Sequence, residues 1–260
     1  MNFSIETIEK LLNEVKGPYF YRKLLSRIKL VLIRTYHEKI VFKFASKETV
    51  FANIWRNNYW GHEESLSGGG STLHYTENLR QKLPMLFREY AIKAIFDAPC
   101  GDMNWMQHVL KNENFSYLGG DIVAEIVEKN KLTFKNKNID FVKFDITADT
   151  FPIADIWICR AALYHLSNRD ISLALEKFVD SNIRYVLTTN CVTDDEHINK
   201  DIATGDWRSV NLMLPPFNFP KEALWITDDY VDPYPPMEIC LWSREQIKEA
   251  LPKLQKVCGR

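Results

Sequence analysis

Apolar positions follow two rhythms along the chain. Up to residue 58 they recur at helical spacing: Ile5, Ile8, Leu11, Leu12 and Val15 share one stripe. Phe20, Leu24, Ile28 and Leu32 then repeat every fourth residue with Lys and Arg between them. Gly17-Pro18 separates these first two helices. Gly61 to Thr72, with glycines at 68, 69 and 70, is a loop, because three consecutive glycines lose too much backbone freedom in a helix or strand. Helix returns near Thr76 to Tyr90.

From Ala91 the rhythm changes to short apolar runs alternating with helical stretches. Strands are predicted at Ile92–Phe96, Tyr117–Asp121, Ile139–Phe144, Ile156–Cys159 and Arg184–Thr189, near Trp225, and at Glu238–Trp242. Helices fall at Trp105–Leu110, Ala124–Leu132 and Ile171–Val179, and one starts at Ser243, whose partner Gln246 completes a capping box. This β-α-β-α order, with its right-handed crossovers, predicts an α/β fold: a Rossmann-like, doubly wound, mostly parallel sheet of about seven strands. Residues 1–72 read as an N-terminal helical extension with the Gly-rich loop, and residues 73–260 as the α/β domain. Residues 191–222 exceed the usual connection length and read as a substrate-side insertion.

Composition narrows the function classes. The 260 residues are 46% hydrophobic with seven Trp, which is globular and not disordered. A net charge of −1 argues against nucleic acid as the partner. Lys16 to Lys47 nevertheless holds nine basic residues against Glu38 alone, either a solvated helix face or a basic rim for an anionic substrate. The five cysteines lack a C-x-x-C pair, as expected of reduced thiols in a cytoplasmic protein. The start lacks the order of a signal peptide, and no apolar run is long enough for a membrane span. The amphipathic extension could lid the site or pair subunits, so the oligomeric state stays open.

In an open parallel sheet, ligands bind beyond the carboxyl ends of the strands. Acids stand at three successive strand ends, Asp97, Asp121 and Asp145, each 24 residues after the last. Gly101 permits close approach of the backbone at the first turn. Asp121 is placed to accept two ribose hydroxyls, and Asp145 to accept an adenine amino group with Ile122 and Ile146 on either side of the ring. Asp97 faces the positive end of such a ligand. A dinucleotide fingerprint is missing, since only Gly101 remains of the G-x-G-x-x-G that seats a pyrophosphate.

Asp97-Ala98-Pro99-Cys100-Gly101-Asp102 resembles motif I of the class I S-adenosylmethionine (SAM)-dependent methyltransferases. Gly120-Asp121-Ile122, Asp145-Ile146 and Cys159–Ser167 are similar to its later motifs. The stretches Gly69–Thr72 and Leu241–Glu245 resemble a bacterial subgroup of capsule and surface-glycan methyltransferases, including those of O-methyl phosphoramidate modification. The resemblance implies SAM as cofactor and S-adenosylhomocysteine (SAH) as product. It implies O-methylation of a small or glycan-linked acceptor, with secondary-metabolite methylation or non-catalytic SAM binding as alternatives. Asp97, Ala98, Gly101, Asp121, Ile122, Asp145 and Ile146 are then cofactor residues, with Trp60, Ser71, Arg80 and Arg160 as further candidates. After the fourth strand, His165 is either a base or orienting group or a packed residue of the turn. Tyr164 stands beside it, and Arg208 is the candidate for an ionised acceptor. Asn190 is a candidate for the pocket wall. Leu214-Pro215-Pro216-Phe217 lacks the Asx of the amino-methylating motif and reads as a rigid loop. Asp194-Asp195-Glu196 reads as a solvated loop, with no metal expected.

Overall fold

The computed structural model describes residues 45–111 and 114–257. The chain divides after Ser46, and the unit that follows is the one described. The helices predicted before residue 45, and all of the basic run except Lys47, lie outside the described residues.

Seven strands form one sheet: β1 (Ala94–Asp97), β2 (Ser116–Asp121), β3 (Ile139–Lys143), β4 (Ile156–Cys159), β5 (Tyr185–Cys191), β6 (Trp225–Asp228) and β7 (Met237–Ser243). Their spatial order is β3-β2-β1-β4-β5-β7-β6. The first five strands run parallel, while β7 lies antiparallel between β5 and β6. Strand order reverses between β1 and β4, where Asp97 pairs with Ile158, so a crevice opens beyond their carboxyl ends.

The helices are α1 (Lys47–Arg56), α2 (Glu77–Glu89), α3 (Met106–Leu110), α4 (Ala124–Phe134), α5 (Asn168–Val179) and α6 (Arg244–Val257). The strands divide their side chains between two cores. Ile95, Ile156 and Ile158 face Leu79, Leu83 and Phe87 of α2. Phe96 and Trp157 face Phe178 of α5 and Ile247 of α6. This alternation leaves β4 buried on both sides, as a central parallel strand requires. Helix α5 starts three residues before the expected Ile171 because Ser167 Oγ accepts the Asp170 N–H at 3.1 Å. Phe217, in the predicted rigid Pro-Pro loop, is fully buried, and the four described cysteines are free and buried.

The capping box forms reciprocally: Ser243 N–H donates to Gln246 Oε1 at 2.9 Å, and Gln246 N–H to Ser243 Oγ at 3.2 Å. Ser243→Ala is expected to lower unfolding free energy by about 1 kcal/mol. Urea denaturation of the two proteins checks this through the shift in midpoint at constant slope.

Candidate functional site

The cleft at the switch point is built on three strand ends. Asp97 closes β1 with its carboxylate buried, and Tyr117 Oη of β2 donates to its Oδ2 at 2.8 Å. Asp121 closes β2, where Gly101 N–H donates to Oδ2 at 3.1 Å and Val123 N–H to Oδ1 at 3.0 Å. Burial pushes the Asp97 carboxyl up to about 7, against the pull of Tyr117 and Arg160. Burial likewise raises Asp121 to about 6, against its backbone donors. Gly101 has φ of 57°, and a Cβ there would stand 2.4 Å from Ser67 Oγ. Glycine is thus required both by conformation and by space.

Beyond β3, Asp145 Oδ1 accepts from Thr147 N–H and Oγ1 at 2.9 and 2.7 Å. Its Oδ2 lies 3.7 Å from Lys47 Nζ, which also pairs with Asp170 at 3.4 Å. Ile122 and Ile146 line this end of the cleft with Phe51 and Trp55 of α1. Ala52 of the same helix packs with Val123 and Ile126, so α1 belongs structurally with the α/β unit.

The Gly-rich loop is tied down over the first turn. Asp102 accepts Ser65 Oγ at 3.0 and 2.9 Å and Leu66 N–H at 2.9 Å. Asp102 N–H in turn donates to Ser67 Oγ at 3.0 Å. Asn104 Nδ2 donates to Ser71 O at 2.9 Å and to Glu64 at 2.7 Å. These bonds bring Ser67, Ser71 and Trp60 to the cleft wall.

Arg160, just after β4, joins three segments. Its Nε and Nη2 donate to the two Asp229 oxygens at 2.9 and 2.8 Å, and Nη2 also donates to Gly70 O at 2.8 Å. Its guanidinium lies over Trp105 at 5.2 Å and Tyr75 at 5.6 Å. Burial opposes the charge, and Asp229 more than offsets it, so the guanidinium pKa lies above its usual value. Such a bidentate, stacked site suits arginine and not lysine.

His165 lines the same cleft in the turn Leu163–His165. Its ring packs between Trp60 and Tyr164, with centroids 5.2 and 4.6 Å away. Nδ1 lies 2.9 Å from Asp206 O. A carbonyl only accepts, so Nδ1 carries the proton and Nε2 presents a lone pair. Burial lowers the His165 pKa to about 4, the Asp206 carbonyl opposing and Arg208 reinforcing that shift. The ring is therefore neutral at pH 7.

The structure gathers Trp60, Ser71, Asp97, Gly101, Asp121, Ile122, Asp145, Ile146, Arg160 and His165 around one cleft. Four expected site residues lie elsewhere. Ala98 is sealed in the core, its N–H bonded to Ile158 O and its carbonyl to Trp157 Nε1. Arg80 turns back to Leu73 O at 2.9 Å and Thr76. Tyr164 makes edge-on ring contacts with His165 and Trp207. Arg208 donates to Leu166 O and Asn168 Oδ1 at 2.6 and 2.8 Å. Asn190 is also buried, accepting Leu212 N–H at 2.7 Å. Sequence reasoning missed Lys47, Phe51, Trp55, Ser67, Trp105 and Asp229. Of these, Phe51 and Trp55 carried a signal in their four-residue spacing on one helix face, and Lys47 in closing the basic run.

No protein-family model and no curated protein matches the chain. Solved structures do. A SAM-dependent methyltransferase from Leishmania major aligns with TM-score 0.58 and 10% identity, over 76% of this chain and 83% of that one. The magnesium protoporphyrin IX methyltransferase of Synechocystis, solved with SAH, aligns with TM-score 0.51 and 11% identity, over 82% and 99%. Human N-acetylserotonin methyltransferase, solved with SAM, aligns at TM-score 0.48 and 13% identity over 75% of this chain, which spans only 56% of that protein. The first two likenesses and the strand order establish the Rossmann-like methyltransferase fold.

The buried acids make the ligand-free protein pH-sensitive. Their folded pKa values, about 7 and about 6, lie above the ordinary 3.8. Their stabilising effect is therefore full below about pH 4 and lost as pH rises to about 7. Thermal melts should show the loss over that window. Asp97→Asn should make it shallower, leaving the part due to Asp121, and raise the melting temperature at pH 8 by about 3 °C; an equally steep profile in the variant would contradict the assignment.

Proposed function

We propose that the chain is a SAM-dependent methyltransferase acting on a neutral hydroxyl or amine of a small or glycan-linked acceptor. The observation that carries this reading is the convergence of Asp97, Gly101, Asp121 and Asp145 on one cleft. The donor set suits SAM. Asp121, oriented by two backbone N–H groups, accepts the ribose hydroxyls. Asp145 accepts the adenine amino group between Ile122 and Ile146. Asp97 and Arg160 offer opposite charges to a zwitterionic amino-acid end. With Gly101 as the sole glycine of the first turn, the cleft lacks the glycine fingerprint a pyrophosphate uses.

When bound, SAM supplies an electrophilic methyl whose C–S bond breaks with its electron pair going to sulfur, leaving SAH. The protein's part is alignment, exclusion of water and proton removal. Helix α1 and the tied Gly-rich loop flank the cleft. His165 Nε2 takes the acceptor's proton, while Asp206 O holds the Nδ1–H. A lone pair at this position favours an acceptor that brings a proton. Arg208, expected to bind an ionised phosphate or phosphoramidate oxygen, is turned to backbone carbonyls instead. Methylation of a capsule or surface-glycan hydroxyl is the narrowest form of the reading and rests on sequence resemblance. Of the stretches that carry that resemblance, Leu241 and Trp242 are core residues and say nothing of the acceptor.

Calorimetric titration with SAM and SAH is the test. Micromolar binding is expected, weakened on the order of 100-fold in Asp121→Ala through loss of charged hydrogen bonds. No binding of either ligand overturns the reading. Mass-spectrometric screening of hydroxyl, amine and phosphate acceptors then follows. His165→Gln should keep SAH affinity and lose roughly 10²–10⁴-fold in turnover. Equal turnover removes His165 as base, and binding without turnover on any acceptor would point to a non-catalytic SAM-binding protein.

A further inference from the structure

Residues 204–208 of the long insertion run beside the turn that carries His165 and bond to it almost residue by residue. Gly205 N–H donates to His165 O at 2.7 Å, and Arg208 N–H to Tyr164 O at 3.3 Å. Ser167 N–H donates to Thr204 Oγ1 at 2.9 Å, and Asp206 O meets His165 Nδ1 at 2.9 Å. The Arg208 side chain closes this interface. Nη1 donates to Leu166 O at 2.6 Å and to Tyr164 O at 3.3 Å, while Nη2 donates to Asn168 Oδ1 at 2.8 Å.

This guanidinium is in an unusual setting. Arg208 is 8% exposed, its Nε is buried without a partner, and it makes no ion pair among the described residues. A buried cation is costly; Asp201 and Asp206 offset part of that cost from a distance, and the fork itself is used on neutral acceptors of residues 164–168. Fixing two carbonyls and an amide to one rigid plane holds the peptide groups on both sides of His165, which the point charge of a lysine cannot do.

We propose that Arg208 is a positioning residue for His165, holding the 164–168 turn so that Asp206 O keeps the Nδ1–H and the cleft meets only the lone pair of Nε2. The inference rests on the reading of His165 as proton acceptor. The positive charge of Arg208 also disfavours a proton on the ring. Other titratable groups around this turn among the described residues are the Tyr164 phenol, Asp206, whose carboxylate accepts Trp207 N–H at 2.8 Å, Asp201, which accepts Asn168 N–H at 2.7 Å, Asp170, which accepts Thr204 Oγ1 at 2.5 Å, and Asp97 and Arg160 along the cleft.

Nitrogen NMR of the full-length protein labelled in its six histidines, with His165→Gln to assign the ring, reads this directly and needs no acceptor. Wild type should show one tautomer, protonated at Nδ1, that takes up a second proton only near pH 4. In Arg208→Gln both tautomers should appear and the midpoint should rise by on the order of one pH unit. Arg208→Lys, which keeps the charge, should retain the low midpoint yet still show both tautomers. A folded Arg208→Gln with a single tautomer and an unchanged midpoint overturns the proposal, and should that variant fail to fold, a single tautomer in Arg208→Lys does so. SAH affinity, measured alongside, should be unchanged in both variants. Loss of SAH binding in wild type would instead strike the cofactor reading and leave the tautomer result standing.

Discussion

Carboxylates withdrawn from water at the ends of parallel strands are the constraint around which this structure is organised. An unpaired buried carboxylate costs several kcal/mol, and Asp97 and Asp121 are both buried at the mouths of adjacent strands. The neighbouring chain is shaped to tolerate them. Tyr117 points its hydroxyl at Asp97, while the Gly101 and Val123 amides point at Asp121. Gly101 holds a left-handed backbone at this turn, which carries the chain away from the carboxylate that its N–H reaches. The compensation is incomplete, since both pKa values stay high. Under the proposed reading, a cationic, hydroxyl-bearing ligand would complete it.

The walls of the cleft come from segments distant in sequence, and each carries a polar fastening; α1 and the 191–222 insertion add apolar packing through Ala52 and through Leu212 and Phe217. Arg160 binds the Gly-rich loop and Asp229 to the end of β4. Asp102 fastens residues 65–67 over the first turn. Lys47 links α1 to both Asp145 and Asp170. The 191–222 insertion, through residues 204–208, builds the seat of His165. Hydrogen-bonded fastenings of this kind fix the geometry of the cleft wall.

Strand positions were legible in the sequence because strands buried on both faces, such as β1, β4 and β5, read as short unbroken apolar runs, while the 3.6 period survives in α2, α4 and α5. The acids at strand ends were legible for a topological reason: a parallel sheet sends successive strand ends to one edge. The antiparallel insertion of β7 between β5 and β6 left no local trace, since strand order depends on long-range pairing. Arg208 and Asp229 show the same limit from the side of function. A polar residue in an insertion looks alike whether it faces solvent, substrate or a buried carbonyl, and only the fold decides. Arg208, expected at the acceptor, serves backbone carbonyls, while Asp229, which carried no signal, grips the cleft arginine.

The most direct test of the central claim is a crystal structure of the protein grown with SAH. The adenine should lie between Ile122 and Ile146, the ribose hydroxyls on Asp121, and the amino-acid end between Asp97 and Arg160, with the sulfur directed toward His165. Density for SAH elsewhere, or a cleft unchanged at saturating SAH, would contradict the account.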